Sequence, residues 1–194
     1  MRHADGAPPA WALVAALALV NYATARLADG FGLPFYLDTW GTMTGSFIGG
    51  PLVGAAGGAL YNLTMAVTFQ GAAASVWAVT SVTLALLAWL FWRTGWLDIE
   101  RPMRMVGAGA ATGVVSALLG AIIDTILWGG PPPYDKSLLF RKVFETAGGT
   151  RATLFLDRLL VELADKTVSI IVAVAVATLL LERWRWKRRA STVP

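Results

Sequence analysis

Gly41, Gly45 and Gly49 recur every four residues, as do Gly50, Gly54 and Gly58, and Gly49-Gly50-Pro51 stands between the two ladders. Residues four apart fall on one stripe of a helix, and glycine keeps that stripe flat enough for another backbone to approach closely in lipid. Pro51 has no N–H and breaks a running helix, yet it suits the first position of a new one. The stretch therefore predicts a tight helical hairpin, entered through a loop at 29–34 and the acidic Asp38. A bilayer is the natural setting, because 56% of the residues are hydrophobic, 14% are charged and mean hydropathy is +0.60. Soluble domains carry about 25% charged residues.

The apolar runs predict an all-α, polytopic membrane protein in which six transmembrane helices form one domain over residues 10–183. A polar tail, 1–9, precedes it and a basic tail, 184–194, follows. The spans are read at about 10–27, 37–49, 51–69, 72–92, 103–128 and 152–181, most of them near the length that crosses a bilayer. Cleavage after Ala23-Thr24-Ala25 is the rival reading of the first span. Asp5 and two prolines make a poor basic leader, and the rest of the chain is itself apolar. The loop 93–104 carries Arg93, Arg101 and Arg104, and the tail carries Arg183, Arg185, Lys187, Arg188 and Arg189. Basic residues stay on the cytoplasmic side, which predicts N-in/C-in topology in a multi-pass protein of the cell membrane. Trp11, Trp89, Trp92, Trp96, Trp184 and Trp186 then fall at the inner interface, and Trp40, Trp77 and Trp128 toward the outer one. The long outer loop 129–151, which contains Pro131-Pro132-Pro133, is read as a lid or a solvated connection.

At about 1.5 Å per residue, this topology puts Asn21 and Asn62 near mid-membrane and Arg26 and Lys166 roughly 24 Å up. Asp38, Asp124, Arg158 and Glu162 fall near the outer boundary. The inner half is almost bare, so the polar groups describe a cup open to the outside rather than a channel through both leaflets. On the last helix Arg158, Glu162, Asp165, Lys166 and Ser169 share a face, which allows Arg158–Glu162 and Glu162–Lys166 ion pairs. A charge at the bilayer centre costs about 2.5–3.5 kcal/mol on insertion scales, so these groups must face protein, water or ligand. The candidate binding residues are Asp38, Trp40, Asn62, Asp124, Trp128, Arg158, Glu162 and Lys166. Asp165–Lys166 pairing and a structural hydrogen bond for Asp124 are the competing explanations. Tyr36, Trp40, Trp77 and Trp128 either stack on a flat ligand or belong to the interfacial belt.

The chain has no cysteine and one histidine, His3, so neither disulfides nor a metal site is expected, and no cofactor. It has no phosphate-binding loop for ATP, and no serine–histidine pair or membrane histidine for intramembrane hydrolysis. An enzyme is therefore not expected. The net charge of +4 reflects basic residues beside apolar spans, which favours a lipid surface over nucleic acid.

The order of features is specific: a Leu-Pro-Phe-Tyr-Leu-Asp-Thr entry, a glycine-rich helix, a Gly-Pro turn, and a second glycine-rich helix ending in Tyr61-Asn62-Leu63. From 33 to 63 it resembles the substrate-binding S components of energy-coupling factor vitamin importers. A second echo lies at Leu163-Ala164-Asp165-Lys166-Thr167-Val168-Ser169. The resemblance implies six helices and an outward pocket for a vitamin or related micronutrient, covered by the loop between the first two helices. It also implies delivery through a membrane scaffold subunit and two ATPase subunits. The scaffold contact in such proteins often uses an Ala-x-x-x-Ala face on the first helix, which Ala12 and Ala16 match. No substrate-specific pattern separates riboflavin, thiamine, biotin, a queuosine precursor or cobalamin. A membrane domain that senses a ligand and passes on a signal is the alternative.

Overall fold

The computed structural model describes residues 8–33, 35–133, 145–146, 148 and 150–191, with side chains as far as Trp184. Its architecture is all-α. The helices are α1 (Ala10–Gly30), α2 (Trp40–Gly49), α3 (Pro51–Met65), α4 (Trp77–Arg93), α5 (Pro102–Leu127) and α6 (Arg151–Ser191). A wider turn, Ala66–Gln70, prolongs α3, and a tight one, Ala72–Val76, leads into α4. Among the described residues five helical segments are long and apolar enough to cross a membrane, which makes this a multi-pass membrane protein.

The sixth expected span is corrected. α2 has 10 residues, about 15 Å of rise, and covers only half of a hydrocarbon core about 30 Å thick. The residues read as its first turn, 37–39, are not helical. They belong to a strap that runs from the end of α1 and enters the bundle before α2 begins. Gly50, at φ +89°, then reverses the chain, and Pro51 opens α3. The expectation of a lid at 129–151 falls largely outside the described residues, as do most of the N-terminal tail and His3.

Close contacts fix the direction of each helix. Gly45 packs on Leu17 while Gly41 packs on Asn21, so α2 descends against α1. Gly54 meets Thr42 and Gly58 meets Thr42 and Ser81, which places α3 against both α2 and α4. On α5, Gly109 faces Thr167, Gly113 faces the Glu162 and Leu163 backbone, and Gly120 faces Arg158. A methyl group at Gly113 would lie 2.7 Å from Glu162 O, so this glycine strip brings α6 backbone to backbone with α5. With α2 running parallel to α6, as the successive pairs Leu37–Asp165 and Thr39–Ser169 require, these helices alternate in direction. The start of α1 and the end of α6 therefore lie at one end of the bundle.

That end is filled by apolar side chains. Met43, Phe47, Ala88, Leu97, Met105, Ala108, Ile170, Ala173, Val174 and Ala177 form a continuous buried core. The Phe47 and Trp92 rings stack within it, with centroids 4.8 Å apart. The buried charges lie at the opposite end, one to four turns earlier along α6.

Candidate functional site

α6 supplies the site's main wall. Arg158, Glu162, Asp165, Lys166 and Ser169 recur at three- and four-residue spacing, so they face inward together, and all are buried. Lys166 Nζ is the hub: it lies 2.6 Å from Asp165 Oδ2, 3.1 Å from Glu162 Oε2 and 3.6 Å from Asp38 Oδ1. Arg158 Nε donates to Asp124 Oδ2 at 2.6 Å, and its Nη1 lies 3.8 Å from Glu162 Oε1. The glycine at 120 makes this possible, because its missing side chain leaves the room that the Arg158 guanidinium occupies. Charges so deeply buried persist only when paired, and here two cations and four carboxylates form one connected cluster.

The strap closes the cluster from the α1–α2 side. Leu37 adopts φ +50°, a left-handed conformation that costs a residue with a Cβ about 1–2 kcal/mol. It is held there from both sides. Its N–H donates to Asp165 Oδ1 at 2.8 Å, and its carbonyl lies 2.5 Å from Thr24 Oγ1 on α1. Asp38 follows, reaching Lys166 and accepting from Tyr61 OH at 3.5 Å. Thr39 Oγ1 then meets Ser169 Oγ at 3.3 Å.

Aromatic rings complete the enclosure. Trp77, at the start of α4, stacks on Trp128 at the end of α5 with centroids 6.3 Å apart. Arg158 lies over Trp77 at 5.0 Å, and Lys166 lies over Tyr36 at 5.9 Å. A cation over a ring face is attracted by the ring's quadrupole, so these rings support the two buried cations as well as enclosing them.

Six of the eight residues picked out by sequence, Asp38, Asp124, Trp128, Arg158, Glu162 and Lys166, thus gather at one end of the bundle. The other two turn to different partners. Trp40 Nε1 donates to Thr24 Oγ1 at 3.1 Å and its ring packs on the apolar core. Asn62 Nδ2 donates to Ser81 Oγ at 2.7 Å and to Gly58 O at 2.9 Å, so it ties α3 to α4. Asn21 has a matching role, bonding Thr42 Oγ1 and the Gly41 N–H and so locking α1 to the start of α2. Ala16 is exposed on α1 and Ala12 half-buried, one turn apart. Sequence reasoning misses Asp157, Tyr61 and the Leu37 backbone. Asp157 is buried too, and an acid inside an apolar helix is the signal that could have found it.

Chemically the site offers fixed charges, ring faces and an anchored strap, all suited to recognition. Among the described residues no group of three or more histidine or acidic side chains is placed to hold a metal ion. No protein-family model, curated protein or solved structure matches the chain.

Proposed function

We propose that this protein is the substrate-binding subunit of an ATP-driven importer, capturing a vitamin or related micronutrient in an outward-facing site. The buried charge cluster around Lys166 and Arg158 carries the reading. Charged groups inside a membrane bundle are expensive and mark ligand or ion pathways by default. Here they stop at one end, above a closed apolar core, which suits a binding cup and gives an ion no path through. The strap lies where the resemblance to energy-coupling factor S components puts the loop that covers the pocket. In this reading both termini are cytoplasmic, the strap faces outside, and Ala12 and Ala16 dock a scaffold subunit that works with two ATPases.

The length of α6 favours a second reading. Its 41 residues, about 60 Å of helix, continue past the apolar run to Ser191, the form a signalling helix takes in a ligand sensor. Transport separates the two. The chain is reconstituted in proteoliposomes with a scaffold and ATPases encoded beside it, and the compound extracted from the purified protein is offered outside. ATP-dependent accumulation is the expected result. A compound that binds but is never accumulated would favour the sensor.

A further inference from the structure

Resting on the reading of this site as one that binds a small molecule, we infer that the ligand is an organic cation whose positive group sits beside Glu162 and Asp38. Charge balance around Lys166 is the first observation. One ammonium faces three carboxylates, Asp165 at 2.6 Å, Glu162 at 3.1 Å and Asp38 at 3.6 Å. Arg158 redresses this only in part, since it reaches Glu162 at 3.8 Å but makes its short contact with Asp124, so that two cations still face four carboxylates. Carboxylates taken out of water need a counter-charge, so a positive ligand is favoured here and an anionic one is repelled.

Acceptor capacity is the second. Glu162 Oε2 and Asp38 Oδ1 are buried, and beyond their ion-pair contacts with Lys166 neither accepts a hydrogen bond from the described residues. The Glu162 side chain is 5% exposed and that of Asp38 is 24% exposed, so Asp38 marks the side from which a ligand reaches the pair. A donor group on the ligand can serve both.

The walls agree with the charge. Both cations of the site already lie over aromatic rings, Arg158 on Trp77 and Lys166 on Tyr36, so the enclosure favours positive charge. A divalent metal ion fits poorly, because the Lys166 ammonium stands among the very carboxylates it would need. An ammonium, an amidinium or an N-alkylated ring meets these conditions.

The test uses the full chain in lipid nanodiscs. The compound extracted from the purified protein is identified by mass spectrometry. Its displacement is measured with three probes that share a ring and differ in charge: 1-methylnicotinamide (cation), nicotinamide (neutral) and nicotinate (anion). The extracted compound should be a cation at neutral pH, and 1-methylnicotinamide should outcompete nicotinamide by about tenfold or more. Glu162→Gln should weaken the extracted compound about tenfold, the loss of one charge-assisted hydrogen bond. Asp38→Asn, on the strap, gives an independent reading in the same direction if the first variant folds poorly. A neutral or anionic compound, or a cation whose affinity neither substitution changes, overturns the inference and leaves the binding site standing. No extracted compound and no binding of any probe overturns the site itself, and the inference with it.

Discussion

Replacing Asp165 with alanine removes the anchor of the strap and the nearest counter-ion of Lys166 in one step. The Leu37 N–H loses a hydrogen bond to a charged acceptor, a contribution of about 1.5–3 kcal/mol. Removing one partner of a buried ion pair costs about 3–5 kcal/mol, but Lys166 keeps Glu162 at 3.1 Å and Asp38 at 3.6 Å, which offsets part of it. Together the two effects put Asp165→Ala at about 3–5 kcal/mol of lost stability. Asp165→Asn keeps a carbonyl acceptor for Leu37 and gives up only the charge, so about half that loss is expected. Reversible unfolding in mixed micelles reads the stability. Amide hydrogen exchange over residues 35–39 reads the strap, where losing about 1.5–3 kcal/mol speeds exchange about ten- to a hundredfold. Equal effects of Ala and Asn, or exchange unchanged in both, would refute the view that Asp165 holds the strap by its carboxylate.

Gly113→Leu should cost about 1–3 kcal/mol, because its Cβ would lie 2.7 Å from Glu162 O, whereas Gly107→Leu, with only Trp96 at 3.9 Å, should be tolerated. A cost at 113 no larger than at 107 would contradict the close α5–α6 approach. Replacing both Ala12 and Ala16 with Trp should abolish uptake by the full complex while the isolated protein keeps its ligand affinity; unchanged uptake would move docking elsewhere. Ala73→Cys, exposed at the charge-cluster end, should react with an impermeant maleimide in intact cells, and Thr94→Cys, exposed at the other end, only after permeabilisation. The reverse pattern would turn the cup toward the cytoplasm.

The helices and the hairpin are legible because their causes are local. Apolar run length marks the spans, and Gly49-Gly50-Pro51 marks the turn whose Gly50 adopts φ +89°. The α6 face is legible for the same reason, since (i, i+4) spacing alone brings Arg158, Glu162 and Lys166 together. The start of α2 is not. Leu37, Asp38 and Thr39 carry no helix breaker, and what keeps them out of the helix is a carboxylate 128 positions away together with the hydroxyl of Thr24. Asn62 shows a related limit. Its depth along α3 follows from counting residues, but its direction depends on how α4 sits, and Ser81 claims it. The strip Gly109, Gly113 and Gly120 lacks the regular spacing of the hairpin ladders, so its part in bringing α6 close emerges only from the contacts.

The affinity of the extracted compound for the parent protein and for Arg158→Ala and Asp124→Ala tests the central claim most directly. Arg158 and Asp124 form the shortest contact between α5 and α6 in the cluster, and a ligand bound there depends on both. Isothermal titration should show each variant binding about ten- to a hundredfold more weakly, because the charge-assisted hydrogen bond that holds the α5 and α6 walls of the site together, about 1.5–3 kcal/mol, is lost while the helical fold is retained. If both variants bind the compound as tightly as the parent, the cluster is a structural network of ion pairs and the ligand sits elsewhere.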